Sequence, residues 1–247
     1  MGSMPAVAVR RANRLLADMT PAGRSGLLEL LRPVTLTLGE VLYEAQRSIR
    51  HVYFPLDCLV SLLAPVKGHA PLEVAAIGNE GMVGVPVVLG LRTSRVHAVV
   101  QGSGRALYMS ARTFREELRR QPSLRREIDP YIYSLITQLT QVAACNAFHP
   151  VEARCARSLL IARDRMQSDE LELTHELLAQ MLGVRRVGIT VAAGNLQRRG
   201  VIAYSRGRVV ILDPKGLTEA ACECYGVMTD VYENGGRFGP HPKHIRA

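Results

Sequence analysis

The stretch LTHELLAQMLGVRRVGITVAAGNLQRRGVI, residues 173–202, leaves few choices for the local fold. Thr174 can cap a helix that carries Glu176 in its first turn, where a negative charge meets the positive end of the helix dipole. Leu177, Leu178, Met181 and Leu182 then form one apolar side, Ala179 is small enough to let a second helix cross closely, and Gly183 permits a sharp turn. A second helix follows from about Arg185 to Arg199. On it Ile189, Ala192, Ala193 and Leu196 share one face, while Arg186, Val187, Thr190 and Gly194 share another. Gly200 stands where a helix ends, and VIAYSRGRVVIL reads as a β-hairpin with Arg206-Gly207 at its tip. The expectation is a helix-turn-helix followed by a wing.

Charge gives this pattern a purpose. Between Val184 and Leu212 the sequence holds Arg185, Arg186, Arg198, Arg199, Arg206 and Arg208, with no Asp or Glu. Basic contacts to phosphate release condensed counterions, so an acid-free face on a packed helix suits double-stranded DNA. Arg186, near the helix N-terminus, can present the forked donor pair that reads guanine, and Val187 or Thr190 can touch a thymine methyl. Arg185, Arg198, Arg199, Arg206 and Arg208 are candidates for phosphate, and Thr174 completes the expected DNA-contact set. The formal net charge of +9 agrees with a polyanionic partner.

Upstream, NRLLADMTPAGRSGLLELLRPV reads as two short helices broken at Pro21. From Val34 to Met109 the pattern becomes VTLTL, VLYEA, HVYFPL, CLVSLLAPV, LEVAAIG, HAVVQ and RALYMS, punctuated by glycines, which indicates an antiparallel sandwich or barrel. Helical spacing returns near Ala111. Asp129-Pro130 reads as an N-cap with a proline at the first helical position. Beyond it Ile132, Leu135, Leu139 and Val142, widened by Ile136 and Ala143, form an a/d seam about two heptads long. That stripe fits a homodimer interface, and equally a helix packed on its own domain. His149-Pro150 breaks the chain before another helix over about 151–166. The expected division is 13–121 for the β-rich domain, 122–148 for the seam helix, 149–230 for the winged module, and a disordered tail over 235–247, where GGRFGPHPKHIRA has too little apolar content to fold alone.

Other functions find little support. The longest apolar runs fall short of the roughly 18 to 20 residues of a membrane span, and no secretory signal pattern follows Met1, so no membrane association and a cytoplasmic location are expected. Cys58, Cys145, Cys155, Cys222 and Cys224 are too scattered for a disulfide framework, and Cys222 and Cys224 supply half a zinc site, so no metal centre is expected. His175-Glu176 opens a zinc-protease-like pattern, but Ala179 stands where its second histidine belongs. Without a Walker loop or a GxSxG elbow, an enzyme is not expected. The alternative from a different class is a signalling adaptor whose winged helix binds protein or RNA.

With the β-rich segment, the seam helix and the C-terminal module in this order, the chain from about Asn13 to Tyr225 resembles the Crp/Fnr family of bacterial transcription regulators. The resemblance is strongest over Thr174 to Ile202. It implies an α+β architecture: an N-terminal antiparallel β-roll of the cyclic-nucleotide-binding-like jelly-roll type, a long dimerisation helix, and a C-terminal winged helix-turn-helix. It also implies a homodimer, RNA polymerase as a partner, and a sensor domain for a small-molecule effector of unidentified chemistry. Two departures narrow the resemblance. Val187 and Val191 replace an acidic base reader and a second arginine of the common family recognition helix, so a different operator is expected. In the matching effector segment, Gly84 is followed by Val85 where the family has the ribose-binding Glu, and the phosphate arginine is either Arg92, followed by Thr93, or Arg95. Loss of that carboxylate would leave ribose hydroxyls unpaired, so cyclic AMP binding of the usual kind is not expected.

Overall fold

The computed structural model describes residues 13–233. The expected disordered tail therefore lies outside the described residues. The described residues open with α1 (Arg14–Asp18) and α2 (Pro21–Leu30), the two short helices expected on either side of the proline break. Asn13 fixes the first of them. Its Oδ1 accepts from Leu16 N at 3.0 Å while its Nδ2 donates to the carbonyls of Pro55 and Gly81, both at 2.8 Å.

Seven strands follow: β1 (Arg32–Leu36), β2 (Val41–Tyr43), β3 (His51–Pro55), β4 (Leu59–Ala64), β5 (Leu72–Ile77), β6 (His97–Gly102) and β7 (Gly104–Ser110). They form two antiparallel sheets, ordered β1-β7-β3 and β2-β6-β4-β5. Register shifts interrupt the pairing of β4 with both of its neighbours and of β2 with β6, which bends the second sheet. The continuous apolar run around β4 has a direct cause. Val60 and Leu62 belong to the core of the roll, while Leu59 belongs to a second core shared with the C-terminal module, so both faces of the strand are covered. A short helix, α3 (Val85–Val88), plugs the roll with buried Val85, Val87 and Val88.

Helix α4 (Ala111–Arg120) is capped by Ser110, whose Oγ accepts from Thr113 N at 3.0 Å. The long helix α5 runs without interruption over Pro122–Phe148, with Pro122 in its first turn and Pro130 inside it. The expected start at Asp129-Pro130 is thus corrected. Proline forfeits one helical hydrogen bond, but Leu124, Ile128 and Tyr131 bury one continuous face on both sides of it. The Tyr131 hydroxyl donates to Met82 O at 2.9 Å and ties α5 to the roll.

The residues of the expected seam are divided between two faces. Leu135 is buried in the core of its own chain and Ile132 packs against that core, so neither awaits a second copy. The stripe left exposed contains Tyr133, Ile136, Leu139, Thr140, Ala143 and Ala147, so Ile136, Leu139 and Ala143 of the expected stripe stay on it, with Val142 half-buried. Helices α2 and α4, strand β5 and the C-terminal helix Cys224–Glu233 pack on the inner face, which the heptad pattern alone could not distinguish from the outer one.

After His149-Pro150, α6 (Val151–Met166) carries the C-terminal module. Three elements follow it: β8 (Glu170–Glu172), then α7 (His175–Leu182) and α8 (Arg186–Arg198). The hairpin β9 (Ile202–Ser205) and β10 (Arg208–Ile211) comes next, and α9 (Pro214–Ala220) and α10 (Cys224–Glu233) close the described chain. A buried ion pair, Arg165 Nε to Glu80 Oε1 at 3.1 Å, joins α6 to the loop after β5. Among the described residues no helix is long and apolar enough to cross a membrane.

Candidate nucleic-acid interface

Thr174 is the N-cap of α7, its Oγ1 accepting from Leu177 N at 3.1 Å. The helix ends at Gly183, which takes φ 62° and donates to Ala179 and Gln180. Only this left-handed corner lets α8 start so soon afterwards, and a side chain here would also meet Leu72 of β5 at 2.5 Å. Helix α8 then buries Ile189, Ala192, Ala193 and Leu196 and presents Arg186, Val187, Thr190, Val191 and Gly194 to solvent. Val187 and Val191 are 67% and 59% exposed, too open for residues that serve a core.

The N-terminus of α8 has no side-chain cap, since Arg185 occupies the capping position. Its first N–H groups and helix dipole therefore face outward beside two guanidinium groups, an arrangement that favours an anion. Thr190 is tied down at home. Its Oγ1 lies 3.1 Å from Arg186 O and 3.2 Å from His175 Nδ1, which leaves its methyl group as the outward surface. His175 stacks on Tyr204 at 4.2 Å, and Tyr204 donates to Leu173 O at 3.0 Å. Burial, followed by the Arg186 charge, lowers the His175 pKa. A proton on Nδ1 suits this geometry: Thr190 donates to Arg186 O and accepts from the ring, and the unpartnered Nε2 remains a bare lone pair.

The wing is a three-stranded sheet ordered β8-β10-β9, with Arg206 at φ 48° and Gly207 at φ 80° forming the tight turn of the β9-β10 hairpin. Strand β8 lies outside the sequence expectation, although the alternation Glu170-Leu171-Glu172-Leu173 carries its signal. Thr174, His175, Glu176, Arg186, Arg206 and Gly207 line one open cleft, so the start of α7, the start of α8 and the wing tip converge.

The arginines do not form one patch. Arg186 and Arg198 bracket α8 about 18 Å apart. Arg185, Arg186 and Arg206 are exposed at one end; Arg198 and Arg199 lie at the other. Arg198 bonds Asn195, and Arg199 Nη1 approaches Glu152 Oε1 at 3.5 Å. Arg208 Nη1 lies 3.8 Å from Glu170 Oε2. The segment without acids in sequence thus receives carboxylates from elsewhere in the fold, and the free positive charge is concentrated at the N-terminal end of α8.

The expected effector residues are divided by the structure. Val85 is buried in the core, and Gly84, at φ 110°, packs so closely on Val52 that a side chain would meet it at 2.9 Å. Arg92, Thr93 and Arg95 face solvent. The loop that holds them is pinned by its backbone, with Ile49 N donating to Arg92 O and Gln46 N to Ser94 O.

Residues 153–220 match the Crp-like helix-turn-helix domain. A global nitrogen regulator from Synechocystis sp. is 25% identical over 203 residues, covering 77% of this chain and 90% of that protein. A Crp/Fnr-family transcriptional regulator from Eubacterium rectale has the same fold, with a TM-score of 0.65 at 16% identity over 85% of this chain and 98% of that one. A CRP-family regulator from Thermus thermophilus gives a TM-score of 0.64 at 18% identity, covering 77% of this chain and 99% of that one.

Proposed function

We propose that the chain is a Crp/Fnr-type transcriptional regulator that reads duplex DNA as a homodimer through the N-terminal turns of α8, a reading supported by the match of residues 153–220 to the Crp-like helix-turn-helix domain and by the shared fold. The observation that carries this reading is the exposed face Arg186, Val187, Thr190 and Val191 on a helix fixed from behind by four buried apolar residues. Arg186 pairs with a guanine edge, and Val187 and the Thr190 methyl contact thymine methyls. Arg185 and Arg206 hold phosphate on either side. Thr174 supports the same end of the interface by capping α7 beneath the wing tip. Arg198, Arg199 and Arg208 contribute less, because each already has a partner in its own chain.

The exposed stripe of α5 supplies the twofold contact, with Tyr133 and Ile136 as apolar anchors and Thr140, Ala143 and Ala147 allowing the helices to approach closely. The β-roll takes no cyclic AMP in the usual way, a reading supported by Val85 in the core where the ribose carboxylate would stand. A cytoplasmic location and contact with RNA polymerase complete the reading. Selection of random duplexes by the purified protein tests it. The expected product is a twofold-symmetric sequence with half-sites about 34 Å apart. Recovery of unrelated sequences, or displacement of the selected duplex by RNA in a parallel competition, would overturn it.

A further inference from the structure

Four ligand-type side chains that sequence spacing kept apart meet at the end of α5. Cys145 lies in its last turn and His149 is its C-cap, while Cys222 and Cys224 flank the start of α10. Their ligand atoms all lie within 4.8 Å of one another. Cys145 Sγ is 3.5 Å from Cys222 Sγ, and Cys224 Sγ is 3.4 Å from His149 Nδ1. Tetrahedral ligands at the usual zinc–sulfur and zinc–nitrogen distances of about 2.3 and 2.0 Å stand about 3.5 to 3.8 Å apart, so the set needs only small movements to surround one ion. An iron–sulfur cluster spreads its ligands over several bridged metal atoms and would need a wider cage.

The surroundings have the features of a metal site rather than of packed thiols. His149 turns Nδ1 inward and places Nε2 3.1 Å from Glu223 Oε1, the carboxylate arrangement that orients a ligating imidazole. Gln141 Nε2 donates to Cys224 Sγ at 3.0 Å. Arg154 and Arg157, on the adjacent α6, are buried, and the Nε of each has no hydrogen-bond partner. Three thiolates and a neutral imidazole around a divalent ion leave one net negative charge, which these guanidinium groups can offset. Cys58 and Cys155, by contrast, sit in the two large cores.

We propose that Cys145, His149, Cys222 and Cys224 bind one thiophilic divalent ion of the zinc class, and that this ion sets the hinge between α5 and the DNA-binding module. Binding converts three thiols to thiolates and releases three protons, with no change in oxidation state. The ion joins α10 to the end of α5 where His149-Pro150 leads into α6, so its presence fixes the angle at which α6 leaves the long helix. The regulatory half of the proposal rests on the DNA-binding reading above; the site itself does not.

Cobalt(II) titration of the reduced, metal-stripped full chain tests the site, because tetrahedral thiolate coordination gives intense visible bands. One ion per chain is expected, displaced by zinc(II). Cys222→Ser and His149→Ala should weaken uptake by at least about 100-fold, and Glu223→Gln by about 10-fold, while Cys58→Ala leaves it unchanged. Absence of the bands in the wild type, bands unaffected by Cys222→Ser, or a Cys145–Cys222 disulfide whose reduction restores no metal uptake would overturn the site. Duplex affinity measured with and without zinc(II) tests the hinge, with a change of at least about 10-fold expected. Metal uptake with unchanged DNA affinity overturns the hinge role alone, whereas failure to bind DNA in either state counts against the DNA-binding reading and not the metal site.

Discussion

Glu80 and Arg165 are 6% and 7% exposed in their side chains and form an ion pair that no solvent can replace. Glu80 also accepts from Gly78 N at 3.0 Å, and the Arg165 guanidinium lies over the Tyr232 ring at 5.5 Å. One pair therefore joins the β-roll loop, α6 and α10. Removing one partner strands the other charge, so Glu80→Ala should cost about 3 to 5 kcal/mol, measured by urea unfolding. A cost under about 1 kcal/mol would mean that the charges are solvated and the junction is held by packing alone. This pair was not legible in the sequence, because the two residues lie far apart along the chain and their individual contexts carry no sign of each other. The capping role of Thr174 and the positive backbone angle of Gly183 were legible, because each is set by neighbours within a few residues.

Helix α5 shows where pattern reading stops. Its apolar residues cover more than one face, and the heptad spacing that marked Ile132, Leu135, Leu139 and Val142 chose a face partly used by the roll. Seven residues per repeat and 3.6 per turn specify a stripe but not its partner. The exposed stripe gives a sharper prediction. Ile136→Glu, at a position 53% exposed, should leave the fold intact and yield monomers in sedimentation. Leu135→Lys should instead cost about 3 kcal/mol or more of stability, because it places an ammonium group in the core. The reverse outcome, a stable monomer from Leu135→Lys and an unaltered dimer from Ile136→Glu, would restore the original seam. The hairpin β9-β10 was easier to recognise, since Arg206-Gly207 between two alternating apolar runs fixes both turn and register.

At the scale of the molecule, the module is docked rather than tethered. Leu59 and Ala76 of the roll share a core with Leu159, Leu178 and Met181, and Gly183 of the helix-turn-helix corner sits against Leu72. Helix α8 buries Ile189, Ala192 and Leu196 in this same core and leaves Arg186 exposed at its start. The order of β-roll, long helix and winged module was visible because each stretch has its own periodicity. The convergence of Cys145 and His149 on Cys222 and Cys224 was not, because it depends on α10 folding back along α5. The central claim, that α8 reads base identity while surrounding arginines supply unspecific affinity, is tested most directly by salt titrations of binding to the selected operator and to a scrambled duplex. Wild type, Arg186→Ala and Arg206→Ala would be compared. Arg186→Ala should lose about 1 to 3 kcal/mol on the operator and much less on the scrambled duplex, so discrimination falls. Arg206→Ala should weaken both duplexes alike and reduce the salt slope by about one ion. Full discrimination retained by Arg186→Ala, with loss of affinity equal on both duplexes, would contradict the account.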